Sequence, residues 1–175
     1  MIRVDLKSHT LPDGTDYHAV NPKGYVPVLE LDDGSRFTEV AVLLQIIADR
    51  KPGALAPEVA TIERYRLNEW LNFVATEIHK GYGTLWHPEV GEAAVAAATK
   101  TLKKRYAFVE TQLGKTQYLA GNAFTIADAY LFTVPNWCNF LTLDLSEFRH
   151  LPAYMKRVAA RPGVIAAMKA ERLIK

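Results

Sequence analysis

Between positions 67 and 78, Leu67, Trp70, Leu71, Val74 and Ile78 form an apolar stripe, an i, i+3, i+4, i+7, i+11 series. That spacing lines one side of a helix and leaves the other polar, so the segment has to fold against an apolar partner. No other feature of the chain restricts its fold as strongly. Helical periodicity returns over residues 92–113, and a third helix is expected from Thr125. Pro152 and Pro162 stand where helices can begin, because proline has the right φ for a first turn and its missing N–H is not needed there. Two short C-terminal helices are therefore expected.

Residues 2–50 carry a different pattern. Ile2-Arg3-Val4-Asp5-Leu6 alternates apolar and polar at period two, which predicts a strand. Residues 27–31 and 36–38 flank Asp32-Asp33-Gly34-Ser35, whose Asp-Gly predicts a turn and the pair a hairpin. Residues 39–49 then read as a mostly buried helix, capped by Thr38 and with Glu39 in its first turn, where a carboxylate favours the helix dipole. Lys51-Pro52-Gly53 ends that pattern, and 54–60 reads as connecting chain. The expected organisation is a small α/β part over 1–50, a linker over 51–60 and an all-helical part over 61–175.

Composition removes several functions. The net charge of +2 is spread without blocks, so there is no electrostatic footprint for nucleic acid or an anionic membrane. No run approaches the roughly 18 apolar residues that a membrane-spanning helix needs, and the first residues lack a signal-peptide core. The lone Cys138 excludes an intrachain disulfide and suits a reducing, cytoplasmic setting. His9, His18, His79, His87 and His150 show no ligand spacing, so no metal is expected.

Three landmarks then coincide: Val26-Pro27 opening a strand, Thr38-Glu39 leading into a helix, and Phe124-Thr125-Ile126-Ala127-Asp128-Ala129-Tyr130 opening another. In this order they resemble the glutathione transferase family, and residues 63–82 look most like its bacterial beta class. The resemblance implies a thioredoxin-like N-terminal domain, here incomplete, followed by an all-α C-terminal domain. It also implies conjugation of a glutathione thiolate to small hydrophobic electrophiles by a cytoplasmic homodimer.

Residue roles follow from the same resemblance. Pro27 would be cis, against a base rate of about 5–6% for X–Pro bonds, and the Val26 backbone would pair with the cysteinyl backbone of glutathione. Glu39 would hold the γ-glutamyl ammonium and the Val40 N–H its carboxylate. Helical spacing puts Asn72 and His79 nearly two turns apart on one face. By resemblance Asn72 and Glu77 reach glutathione in the dimer, while His79 and Lys80 line the site near its sulfur. His79 is the expected catalytic residue. Thr125 and Asp128 have capping-box spacing and read as a folding determinant worth about 0.5–2 kcal/mol. Pro135 is expected to kink the helix over 127–138, and Cys138 reads as a small buried hydrophobe. Trp137 reads equally as a pocket wall or a core aromatic.

The chain also departs from the family pattern. Valine replaces the usual serine or glycine at position 40, and His9 stands where the beta class has a lysine. The family's first strand, catalytic loop and first helix, which contribute the group that contacts the sulfur, have no counterpart before residue 2. Residues 3–6 are then expected to lack a parallel neighbour, and 28–31 to expose a row of unpaired backbone groups. This leaves a second reading, a non-catalytic relative that binds or scaffolds. The electrophile is set by variable helices and is not legible.

Overall fold

The computed structural model describes all 175 residues. The chain divides into two compact units, Met1–Ile47 and Ala48–Lys175.

In the first unit β1 (Leu29–Glu30) and β2 (Arg36–Phe37) pair antiparallel, with Leu29 opposite Phe37 and Glu30 opposite Arg36. The hairpin turn closes through Gly34 N–H to Leu31 C=O and Leu31 N–H to Ser35 C=O, each 2.9 Å. Gly34 takes φ +81° there, a conformation that glycine adopts without steric cost. Helix α1 runs over Val40–Asp49. The strand expected at residues 2–6 does not form. Alternation makes a strand only where a ladder partner exists, and this segment has only isolated bridges, Asp5 with Thr10 and Thr10 with Asp16. Instead the Asp5 carboxylate accepts the Lys7 and Ser8 N–H groups at 2.8 and 3.2 Å, a local turn that competes with extension.

The second unit is helical. Its elements are α2 (Ile62–Phe73), a π-helical stretch (Val74–His79), a 3₁₀ stretch (Lys80–Trp86), α3 (Glu92–Leu113), α4 (Ile126–Thr133), α5 (His150–Ala159) and α6 (Pro162–Ala170). The first helix starts at Thr61, whose hydroxyl accepts the Arg64 N–H at 3.1 Å. Leu67, Leu71, Val74 and Ile78 are buried as their period requires, as are Leu102, Tyr106 and Val109 of α3 and Leu131 of α4; α2 packs on α4, and the π-helical stretch packs on α3 and α4. Trp70 departs from the stripe: it is half-buried and stacks on Phe108 at 5.4 Å, a ring that is itself exposed. The helix expected over 127–138 ends at Thr133 and continues as a 3₁₀ turn, Pro135–Asn139, because proline removes an N–H and crowds the preceding turn.

Residues 51–60 lie within the second unit and are tied into it. The Leu55 C=O accepts the Ile126 N–H at 3.0 Å, and the Pro57 C=O accepts the buried Arg64 guanidinium at 3.1 Å. The same guanidinium grips both Asp49 carboxylate oxygens, at 2.9 and 3.2 Å. This two-point fork is a geometry that lysine cannot reproduce.

Two carboxylates organise the bundle. Asp128 is fully buried and accepts from the Leu119 N–H (2.9 Å), the Thr125 N–H (2.8 Å), the Thr125 hydroxyl (2.9 Å) and the Tyr154 hydroxyl (3.2 Å). Glu110 of α3 accepts the Arg149, His150 and Leu151 N–H groups at 2.6, 2.7 and 2.9 Å, and so caps α5 from a neighbouring helix. Burial alone would raise the Glu110 carboxyl, but the three N–H donors outweigh it and hold it below its ordinary value.

Asp128→Ala removes the carboxylate that four buried donors share and should lower stability by at least about 3 kcal/mol, read as a fall in the urea midpoint at unchanged m-value. Glu110→Ala should cost about 1–3 kcal/mol near neutral pH. The folded Glu110 carboxyl sits below its unfolded value. Its contribution is therefore complete above that unfolded value, near 4.5, and is lost as pH falls through the folded one. Urea midpoints of parent and variant should converge between pH 7 and about pH 3.

Candidate functional site

In the first unit the site residues stand on a tied loop. The Tyr25 C=O accepts the Tyr17 hydroxyl at 2.8 Å and the amide of the buried Asn21 at 2.6 Å. The Asn21 C=O accepts the Gly24 N–H at 2.8 Å and its side-chain oxygen the Lys23 N–H at 3.2 Å. The next peptide bond, Val26-Pro27, is cis, as expected from its setting. Neither the N–H nor the C=O of Val26 enters a backbone hydrogen bond, and the residue is exposed. An extended ligand backbone is complementary to such an edge.

The start of α1 differs from the expectation. The helix begins at Val40, and Glu39 precedes it at φ +69°, outside the first turn, with its C=O accepting the Val42 and Leu43 N–H groups at 2.9 and 3.0 Å. Helical pattern alone does not reveal this, because glutamate rarely occupies the left-handed region and does so at a cost of roughly 1–3 kcal/mol. The Glu39 carboxylate lies 2.6 Å from the Lys23 ammonium, which also donates to the Thr38 hydroxyl at 2.8 Å. The pair is largely exposed, so it holds little intrinsic stability. Its geometry still demonstrates that this carboxylate accepts an ammonium group. The Val40 and Ala41 N–H groups at the start of α1 have no intrahelical acceptor and suit an anion.

In the second unit, His79 ends the π-helical stretch, where the Lys80 N–H reaches the Ala75 C=O five residues back. The two-turn arithmetic that aligns Asn72 with His79 assumes 3.6 residues per turn, and the wider π turn breaks it. Asn72 is exposed, whereas His79 is half-buried between aromatic rings. Its Nδ1 lies 2.8 Å from the Tyr130 hydroxyl. Its ring meets Tyr130 and Trp137 edge-on, at centroid distances of 5.8 and 4.8 Å. Burial, helped by the Lys80 ammonium, pushes the imidazole below its ordinary value, which favours the neutral ring.

Glu77 pairs with Arg105 of α3 at 2.7 Å, while Lys80 is exposed. Trp137 joins both of its expected settings, packing on His79 and on Tyr82 and Trp86 at 5.4 and 5.9 Å. Cys138 Sγ sits 3.3 Å from the Tyr82 hydroxyl, which meets the Tyr106 hydroxyl at 2.8 Å. Burial raises the Cys138 thiol, which makes it a poor nucleophile. Tyr17, Asn21, Lys23 and Tyr130 were not singled out by sequence. Asn21-Pro22-Lys23-Gly24 is a turn signature and gave a signal for the loop, whereas Tyr130 looks like any other helical aromatic.

Residues 2–55 match the family model for the glutathione S-transferase N-terminal domain, and residues 73–162 match that for the C-terminal domain. The chain is 44% identical to glutathione S-transferase GstA of Escherichia coli O157:H7 over 99% of this chain and 87% of the relative. It superposes on the bacterial beta class glutathione S-transferase of Sphingomonas chungbukensis with a TM-score of 0.93 at 40% identity, covering 99% of this chain and 87% of that one. A sphingomonad glutathione S-transferase complexed with glutathione gives a TM-score of 0.92 at 38% identity over the same shares. With its thioredoxin-like α/β element, its helical domain and these matches over nearly all of its length, the chain belongs to the glutathione S-transferase family, in the neighbourhood of its bacterial beta class.

Proposed function

We propose that this protein binds glutathione and conjugates its sulfur to small hydrophobic electrophiles, in the cytoplasm and as a homodimer. The observation that carries the reading is the hydrogen-bonding state of Val26: its backbone is open on a loop that Tyr17 and Asn21 hold fixed. The glutathione-bound relative supports the choice of ligand.

In this reading Val26 pairs with the cysteinyl backbone of glutathione and Pro27 shapes the edge. Glu39 takes the γ-glutamyl ammonium in place of Lys23, and the Val40 N–H takes the adjoining carboxylate. Asn72, Glu77 and Lys80 add polar contacts, the first two near the dimer interface. His79 acts on the sulfur. Stabilising the thiolate lowers the thiol pKa, so that more of the bound tripeptide is in the nucleophilic form. A carbon–sulfur bond then forms as the electrophile's leaving group departs with its electron pair, and the thiol proton passes to water. Holding both reactants in place supplies much of the remaining acceleration.

The direct test mixes the protein with glutathione and dinitrochlorobenzene and follows the thioether. Catalysed formation is expected. Retention on immobilised glutathione without turnover would favour a binding protein instead, and neither activity nor retention would sink the proposal.

His79→Ala should lower kcat about tenfold or more while KM for glutathione changes little; unchanged turnover would remove His79 from the chemistry. Glu39→Ala should raise KM for glutathione about 10- to 100-fold, the worth of a charge-assisted contact. Glu39→Gly should share that loss yet be more stable than Glu39→Ala by about 1 kcal/mol, because glycine takes positive φ freely. Chemical denaturation of the two variants checks the difference.

A further inference from the structure

The imidazole of His79 is more constrained than a residue at a helix end needs to be. Its ring plane is set by edge-on packing against Tyr130 and Trp137, and its Nδ1 is 2.8 Å from a hydroxyl on a different helix. That hydroxyl is well fixed, since Tyr130 lies in the middle of α4 and is buried. His79 is the last residue of the π-helical stretch, whose wider turn shifts its position from that of a regular α-helix.

The partners decide how the proton between them is shared. A phenol O–H is a far stronger acid than the N–H of a neutral imidazole, and an imidazole nitrogen is a better acceptor than a phenol oxygen. The phenol therefore donates, Nδ1 accepts, and the ring proton stays on Nε2. The other groups about the ring favour the same outcome. They are the Lys80 ammonium on its own stretch and the Trp137 indole from the turn after α4, and neither is an acceptor that would call for a proton on Nδ1. The nearby carboxylate on this stretch, Glu77, is engaged by Arg105.

We infer that Tyr130 is a positioning residue: by donating its hydroxyl proton to Nδ1 it holds His79 as the Nε2–H tautomer, which makes His79 a hydrogen-bond donor and not a proton acceptor. The inference rests on the proposed action of His79 on sulfur and specifies its sense. A donor at Nε2 stabilises a thiolate directly and needs no proton transferred to the ring. A base at the same place would need the opposite tautomer.

The test uses the full chain with nitrogen-15-labelled histidine. In the parent at pH 7, the His79 nitrogen resonances should report Nε2 protonated and Nδ1 bare. Tyr130→Phe keeps the ring and removes the hydroxyl, and it should give a mixed tautomer population. With glutathione bound, the thiolate absorbance titrated against pH should move to higher pH in the variant, with kcat near pH 7 down about tenfold and KM for glutathione within about twofold. A merely structural tyrosine would move neither the tautomer nor the titration. A proton on Nδ1 in the parent overturns the inference, as does an unchanged tautomer and thiolate titration in Tyr130→Phe. His79→Ala separates the two levels: if it leaves turnover intact the action on sulfur fails, whatever tautomer the resonances report. If it lowers turnover while Tyr130→Phe changes nothing, only the role of Tyr130 fails.

Discussion

The helical unit depends on a carboxylate that has no contact with water. Asp128 binds donors from three places at once: the loop residue Leu119, the helix entry at Thr125 and Tyr154 of α5. Burial pushes its carboxyl up and the donors pull it back, so the group is tolerable inside the core only while every partner is in place. Such a cluster orders the chain in a way that apolar packing cannot, because leucines accept several arrangements whereas one carboxylate with four directed donors accepts one. Glu110 plays the corresponding part at the surface, where a side chain from α3 supplies the cap that α5 lacks in its own sequence.

Much of this architecture was legible because the signals were local. The stripe from Leu67 to Ile78, the bounds of α3 and the start at Thr125 all follow from helical period and capping chemistry, and the hairpin follows from Asp33-Gly34. What was not legible is where the outcome turns on a partner distant in sequence. Alternation at residues 2–6 describes a strand that finds no ladder. Arg64 looks like one more charged residue on a helix surface, yet it is buried and clamps Asp49 and Pro57. The π turn before Lys80 leaves no mark that a 3.6-residue period detects, so the face on which His79 lies does not follow from spacing.

The first unit shows how unsatisfied groups can be held available without loss of order. A loop whose carbonyls are all loosely solvated would collapse onto whatever donor came near. Here Tyr17 and Asn21 both bind the carbonyl of Tyr25, so the chain arrives at Val26 already fixed and with its polar groups uncommitted. Glu39 follows the same logic at the other end of the hairpin. Its left-handed backbone is costly, and it points a carboxylate to where an ammonium is held, at present that of Lys23. Strain and unpaired backbone gather here, on a part of the chain with little core of its own, and this is the distribution expected of a recognition surface rather than of a folding nucleus.

The surroundings of His79 argue for the kind of chemistry that an imidazole can do there. A histidine meant to carry a proton away benefits from a carboxylate behind it, which stabilises the cation it becomes. His79 has a phenol behind it in place of a carboxylate, and its burial and the ammonium one residue along make an imidazolium costly. The same setting does not penalise a neutral ring, and a dipole held in place by its partners need not reorganise when charge develops beside it. A residue can thus contribute to thiolate formation without titrating at all, and the signature would be an acid limb in the rate profile that belongs to the thiol alone.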